Sequence, residues 1–267
     1  MELLQGNICK MKYKIVACIP TKNEEWIIEK TLSSLSNFCH KIIVVDDQSD
    51  DKTCSICEKF EKVELYHRHK HDWKERAWGE HRQEILDYAI KHDPDYLLFL
   101  DADEIPSPDI VDFFDDVDES VNLWYLPWYH LWTDENHYRV DNFYLDNGQY
   151  ITFDPENGAQ KKGFIMKYDK NHKYNYDINR FKGWGGPMEP QNVPLPHSKT
   201  TKTRVIHYGR ISPRFKSGEK HVYVSTINNH VDGMDYNERL KTHKNASQED
   251  TLILKKIKDE WKWTETI

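Results

Sequence analysis

Short, unbroken apolar runs alternate with stretches of helical spacing along the N-terminal part of the chain. Lys14-Ile-Val-Ala-Cys-Ile-Pro20 is one such run, closed by proline, and apolar residues then recur at Trp26, Ile27, Leu32 and Leu35. This order predicts strand, loop and helix. His40-Lys-Ile-Ile-Val-Val-Asp46-Asp47 repeats the run, and Gln48-Ser-Asp-Asp-Lys-Thr53 supplies turn and cap chemistry around an amphipathic helix expected over Asp50 to Phe60. A third strand over Val63 to His67, a helix from Gly79 to about Lys91 and a strand from Asp95 to Leu100 complete the series. Runs without polar alternation suit strands covered on both faces, so strands separated by helices predict a parallel, doubly wound sheet.

The pattern changes after Glu104. Pro106 and Pro108 are expected to open a helix through Phe113 and Phe114. Val121-Asn-Leu-Trp-Tyr-Leu-Pro-Trp-Tyr-His-Leu-Trp132 alternates like a strand but is unusually aromatic. Val140 to Phe153 and Phe164 to Tyr168 read as short strands, joined by Asn147-Gly148 and Asn157-Gly158 turns. Another short strand ends at His207, and the segment carrying Lys216 and Lys220 should continue as a helix through Tyr223. The charged tail is expected to be helical from Gln248 to Trp263, docking through Leu252, Ile253, Leu254, Ile257 and Trp261. The chain thus divides into two abutting halves of one domain, residues 1–104 and 105–225, and a tail over 226–267.

A length of 267 residues, 38% of them hydrophobic, supports one large core without covalent staples. The net charge of -8 argues against a nucleic-acid backbone as the main partner. No apolar run is long enough to span a bilayer and Met1 to Lys14 has no signal-peptide core, so the expectation is a cytoplasmic protein, at most peripheral to the membrane. The cysteines Cys9, Cys18, Cys39, Cys54 and Cys57 are expected to be reduced, and the Cys54/Cys57 pair reads as helix thiols rather than as a redox or zinc motif.

Candidate chemistry centres on Leu97-Leu-Phe-Leu-Asp-Ala-Asp-Glu104. The carboxyl end of a central strand opens onto the ligand crevice of such a sheet, so Asp101 and Asp103 should line a site and together hold a hard cation. Mg2+ or Mn2+ held by so few carboxylates completes its shell with water and phosphate, which points to a nucleotide. Thr21, Asn23, Glu24 and Asp46, in the loops after the first two strands, are candidates to read it. Helix-terminus electrostatics is the alternative for Glu24. Arg82 could fork onto a pyrophosphate, the alternative being a surface pair with Glu84 or Asp87. His67-Arg-His-Lys-His71 reads as a solvated loop, because its cations would repel a divalent ion. Trp124, Trp128 and Trp132 offer flat faces to a sugar, or ordinary packing. In Phe181-Lys-Gly-Trp-Gly-Gly-Pro-Met-Glu189 the glycines permit close approach of backbone to ligand. Glu189 there is a candidate general base, Trp184 joins the acceptor side, His207 is a candidate metal ligand, and Lys220 adds charge near a phosphate.

Four motifs then stand in a telling order: Ile19-Pro-Thr-Lys-Asn-Glu-Glu25, Ile42-Ile-Val-Val-Asp-Asp-Gln-Ser-Asp-Asp-Lys-Thr53, Arg82 and Phe99-Leu-Asp-Ala-Asp-Glu104. Together they resemble family 2 glycosyltransferases of the GT-A fold, especially the bacterial-type branch that extends lipopolysaccharide cores. Gly186-Pro-Met-Glu189 and Ile206-His-Tyr-Gly209 extend the likeness. The resemblance implies a GT-A-like mixed sheet flanked by helices, with a nucleotide-sugar-binding half followed by an acceptor-binding and catalytic half. It implies that Thr21 and Glu24 border the nucleoside, Asp46 contacts the base, Arg82 neighbours the diphosphate, and Asp101 faces the ribose or donor sugar. Asp103 and His207 would share Mn2+ or Mg2+, and Glu189 would activate the acceptor. Relatives often carry His-Glu where this chain has Met188-Glu189. The implied reaction is inverting transfer from a nucleotide-diphosphate sugar, UDP-linked by preference, to a hydroxyl of a glycan, glycolipid or glycoprotein. The competing expectations are a nucleotidyltransferase and a non-catalytic carbohydrate-binding protein, and the missing glycine-rich loop between Ile19 and Trp26 counts against the first.

Overall fold

Strand β1 (Ile15–Thr21) is buried along its whole length, and the parity of its side chains divides the core in two. Ile15, Ala17 and Ile19 pack toward Ile28, Leu32 and Leu35 of helix α1 (Ile28–Ser36), whereas Val16 and Cys18 pack toward Ile85, Leu86 and Ala89 on the opposite face. The same division runs through β2 (Lys41–Asp46), where Ile42 and Val44 join the first cluster and Ile43 and Val45 the second. Each fully buried aliphatic side chain contributes about 1.5–3 kcal/mol, so both faces must be covered, and helices on the two sides do so.

The chain continues through α2 (Thr53–Cys57), β3 (Val63–His67), α3 (Trp78–Ala89) and β4 (Tyr96–Phe99). Next come β5 (Glu104–Pro106), α4 (Ile110–Asp115), β6 (Leu123–His130), β7 (His137–Arg139), β8 (Asn142–Tyr144) and β9 (Tyr150–Thr152). Strands β10 (Lys161–Lys167), β11 (Ser198–Thr200) and β12 (Val205–His207), helix α5 (Pro213–Lys216) and strand β13 (Leu254–Lys256) complete it. This computed structural model describes residues 11–68, 78–140, 142–144, 150–152, 161–174, 198–216 and 253–264.

The main sheet has the order β3-β2-β1-β4-β10-β6-β12-β5, with β11 beside β6. Strands β3, β2, β1 and β4 are parallel, β10 runs antiparallel between β4 and β6, and β5 lies antiparallel on β12. It is the expected GT-A-like architecture: a doubly wound mixed sheet flanked by helices. Strand β10 matters most for function, because it joins the parallel half to the strands that carry the second half's polar groups.

Three local expectations are corrected. The helix through Phe113 and Phe114 forms but starts only at Ile110, because Pro106 ends an edge strand over 104–106, and an edge is where it costs no ladder hydrogen bond. Helix α2 is shorter than expected, because Asp50, Asp51 and Lys52 are taken up in bonds to the loop after β1. The tail is not helical over 253–264: Leu254–Lys256 pairs antiparallel with β7, and a 3-10 turn follows at Asp259–Trp261. Ile257 and Trp261 dock as expected, but Ile253 is 58% exposed. Pairing with the free edge of β7 overrides the helical spacing.

Candidate active site

Thr21 and Asp46 are direct neighbours across β1 and β2, and Asp46 is the neighbour of His67 across β2 and β3. The carboxyl ends of three parallel strands therefore meet at one edge, as the doubly wound order requires. The loops behind them are knitted together. Asn23, at φ 54°, donates its side-chain amide to Asp50 at 2.6 Å and accepts the Asp50 amide at 2.9 Å, and its own N–H reaches Ser49 at 2.8 Å. The Glu24 amide is held by Thr53 at 2.8 Å, and the Glu24 carboxylate accepts the Trp26 indole at 2.8 Å. Asp46, almost wholly buried, accepts from the Ser49 hydroxyl at 2.5 Å and the Ser49 amide at 2.9 Å. Arg214 donates to the Lys22 and Asn23 carbonyls at 3.0 and 3.3 Å, bracing this loop from the second half.

The Asp101–Glu104 turn is tied at every residue. The Asp101 amide donates to Glu104 Oε2 at 2.7 Å and the Glu104 amide to the Asp101 carbonyl at 3.0 Å. The Ala102 carbonyl accepts from the Thr31 hydroxyl of α1 at 2.6 Å, and the Asp103 carbonyl accepts from the Tyr208 amide at 2.8 Å. Because the segment turns, the two aspartates have different partners. Asp101 is paired with Arg82 Nη2 at 2.5 Å and with Lys162 Nζ at 3.3 Å. Burial pushes its carboxyl up, but Lys162 and Arg82 outweigh that and hold it well below the usual carboxylate range. Glu104 is fully buried, and burial lifts its carboxyl above the ordinary value although Lys162 lies at 2.8 and 2.9 Å from its oxygens.

Asp103 meets a different partner. Its Oδ2 stands 3.6 Å from His207 Nε2. A Cβ placed on Gly209 would sit 2.5 Å from each of those atoms, so the absent side chain leaves a small cradle between a carboxylate and an imidazole. An oxygen and a nitrogen donor facing a gap of that size fit Mn2+ or Mg2+. A second set of potential ligands, Asp46, Cys54 and His67, has its donor atoms within 4.8 Å of one another. It suits a hard cation less well: Asp46 is already engaged by Ser49, and burial with the Asp46 charge pushes the Cys54 thiol up to about 12.

Two buried polar atoms at the crevice, Thr21 Oγ1 and Arg82 Nη1, have no hydrogen-bond partner among the described residues. Buried donors and acceptors are rarely left so, and both residues were expected to meet a nucleotide. Trp128 is half-buried and lies against His130 and His207, with ring centroids 4.1 and 5.0 Å away. Trp124 instead packs edge-on against Phe113 in the core, 8% exposed. Glu189, Trp184 and Lys220 lie outside the described residues.

Sequence reasoning missed Lys162, His130 and Arg68. Lys162 became visible only through the register of β10 between β4 and β6, whereas alternation along β6 already put His130 on the face of Trp128. Arg68, read as part of a solvated loop, is 9% exposed and pairs with Glu84 at 3.3 Å. The described cysteines Cys18, Cys39, Cys54 and Cys57 are free thiols, as expected. No helix among the described residues is long and apolar enough to cross a membrane.

The family described as "Glycosyl transferase family 2" matches residues 16–184. Among solved structures, S. aureus TarS (residues 1–349) in complex with UDP-GlcNAc is similar at 16% identity and a TM-score of 0.49, over 85% of this chain and 69% of that one. TarS residues 1–349 in a second crystal structure align over 89% of this chain and 73% of that one, at 16% identity and a TM-score of 0.47. Glucosyl-3-phosphoglycerate synthase from Mycobacterium tuberculosis, in complex with Mn2+, UDP and glucosyl-3-phosphoglycerate, aligns over 45% of each chain at 22% identity and a TM-score of 0.32. Among curated proteins none matches.

Proposed function

The chain belongs to glycosyl transferase family 2, and from that premise we propose that it moves a sugar, with inversion, from a nucleoside-diphosphate sugar to a hydroxyl of a glycan or glycoconjugate. A UDP-sugar is the donor of choice. The observation that carries this reading is the approach of Asp103 and His207, from separate halves of the chain, to 3.6 Å across the cradle that Gly209 leaves.

In this reading Asp103 and His207 hold Mn2+ or Mg2+, whose charge offsets that of the departing diphosphate. Thr21 and Asp46 border the nucleoside at the edge of β1 and β2. Arg82 spends Nη2 on Asp101 and keeps Nη1 for a phosphate oxygen. Asp101, held ionised by Arg82 and Lys162, accepts from a ribose or donor-sugar hydroxyl. Charge stabilisation at the leaving group is the largest contribution asked of the protein, and it comes from groups fixed before substrate arrives. The acceptor lies over Trp128, Trp184 is assigned to the acceptor and Lys220 to the donor phosphate, and Glu189 removes the proton of the attacking hydroxyl. Trp124 keeps its place in the core.

The test is a transfer assay with a panel of nucleotide sugars and glycan acceptors, with and without Mn2+, on the full chain and on Glu189→Gln. Metal-dependent release of nucleoside diphosphate, with glycoside formed only by the parent chain, supports the reading. Pyrophosphate release from a nucleoside triphosphate, or sugar binding without turnover of any donor, would overturn it.

A further inference from the structure

His130 and His207 are direct partners on neighbouring parallel strands, β6 and β12, so their side chains leave the same face of the sheet. The two backbones are locked there by the Leu131 amide, which donates to the His207 carbonyl at 3.0 Å. The rings cross at 88° with their Nδ1 atoms 2.8 Å apart. Trp128 packs on both, and His130 is only 4% exposed.

An Nδ1 to Nδ1 contact of this length needs one shared proton, so one imidazole donates and the other accepts. Two assignments are open for neutral rings. If His130 donates, His207 carries its proton on Nε2, facing Asp103 Oδ2 across 3.6 Å, too far for a hydrogen bond. If His207 donates through Nδ1–H, its Nε2 keeps a lone pair aimed at the Asp103 carboxylate. Two electron-rich atoms then face the same cradle at Gly209, an arrangement that a cation relieves. Metal-binding histidines characteristically give their remote N–H to a fixed acceptor, which sets the tautomer and raises ligand basicity.

We propose that His130 is the positioning residue that accepts the Nδ1 proton of His207 and so fixes His207 in the tautomer whose Nε2 binds the divalent cation. The proposal rests on the assignment of Asp103 and His207 as metal ligands. It adds a role for a buried histidine that no comparison with known proteins assigns.

The test measures Mn2+ binding to the full chain without donor, by titration calorimetry or by the electron paramagnetic resonance signal of free Mn2+. Asp103→Asn should abolish binding. His130→Phe, which keeps a flat ring but no acceptor, should weaken it about 10–100-fold. His130→Asn, whose Oδ1 stands near the former Nδ1, should recover most of that loss. Unchanged affinity in His130→Phe beside lost affinity in Asp103→Asn would overturn the proposal and leave the metal site standing. Wild-type affinity in Asp103→Asn would remove the metal assignment and the proposal with it. Imidazole 15N spectra of the unaltered protein give an answer without any substitution: the proposal requires His207 protonated at Nδ1, and a proton on Nε2 contradicts it.

Discussion

Lys162 reaches across from β10 to both carboxylate oxygens of Glu104, at 2.8 and 2.9 Å, and Glu104 in turn holds the backbone amide of Asp101. The ion pair is almost completely buried and supports the turn on which both site aspartates stand. Lys162→Met should therefore leave a buried carboxylate without its counter-charge and cost about 3–5 kcal/mol of stability. The sign of its pH dependence follows from Glu104. Its carboxyl is already raised in the folded protein, and removing Lys162 raises it further, so the folded variant takes up a proton more readily than the unfolded chain. The deficit should be largest at neutral and alkaline pH and shrink as pH falls through the raised value. Thermal melts of both proteins from acid to alkaline pH check this, and a deficit independent of pH would contradict it.

Gly209→Ala introduces a Cβ 2.5 Å from both Asp103 Oδ2 and His207 Nε2. The expected result is loss of the stabilisation that Mn2+ confers and a fall in turnover of about 100-fold, since displacing a bound group by about 1 Å costs that much. The metal-free protein should lose no more than about 1–3 kcal/mol, the usual range for overpacking. Melting curves with and without Mn2+ separate the two effects.

Arg82→Lys keeps the charge but loses the fork that pairs with Asp101 through one nitrogen while Nη1 stays available. Turnover should fall about 10²–10³-fold, as for removal of a donor aimed at developing charge. If kcat is unchanged and only the donor KM rises, Arg82 binds the ground state and does not stabilise the leaving group.

Trp261 is 5% exposed and packs on Tyr129 and Tyr138, with the Arg204 guanidinium 4.4 Å from its ring centre. Trp261→Ala should cost about 3–5 kcal/mol, and denaturant unfolding measures it. A loss under 1 kcal/mol would mean that the segment from Leu254 onward contributes little to the second half.

The parallel half was legible because the runs at Ile15, Ile42 and Leu97 have no polar alternation to confuse with a helix and form buried strands, while Val63-Glu-Leu-Tyr-His67 has the alternation of the half-buried edge strand that it forms. The Asp103/His207 pair was legible only through resemblance, since nothing local links a turn after β4 with the end of β12. Lys162 and the tail strand were not legible, because both depend on pairing between distant segments. Nothing local distinguishes Lys162 from its neighbour Lys161 until β10 is set beside β6, and Leu254–Lys256 reads as helix until β7 offers an edge. The spacing of Asp101 and Asp103 misled for a related reason. Two residues apart in an extended strand would share a cation, but the Glu104 carboxylate closes the segment into a turn and sends each aspartate to its own partner.

In the proposed function, Asp103 and His207 together anchor a divalent ion on which the nucleotide depends. Calorimetric titration of UDP into the full chain and into Asp103→Asn, each with and without Mn2+, tests it most directly. Mn2+ should tighten UDP binding at least 10-fold in the parent chain and have no effect in Asp103→Asn. Equal UDP affinity with and without Mn2+ in the parent chain, or an undiminished Mn2+ effect in Asp103→Asn, would contradict it.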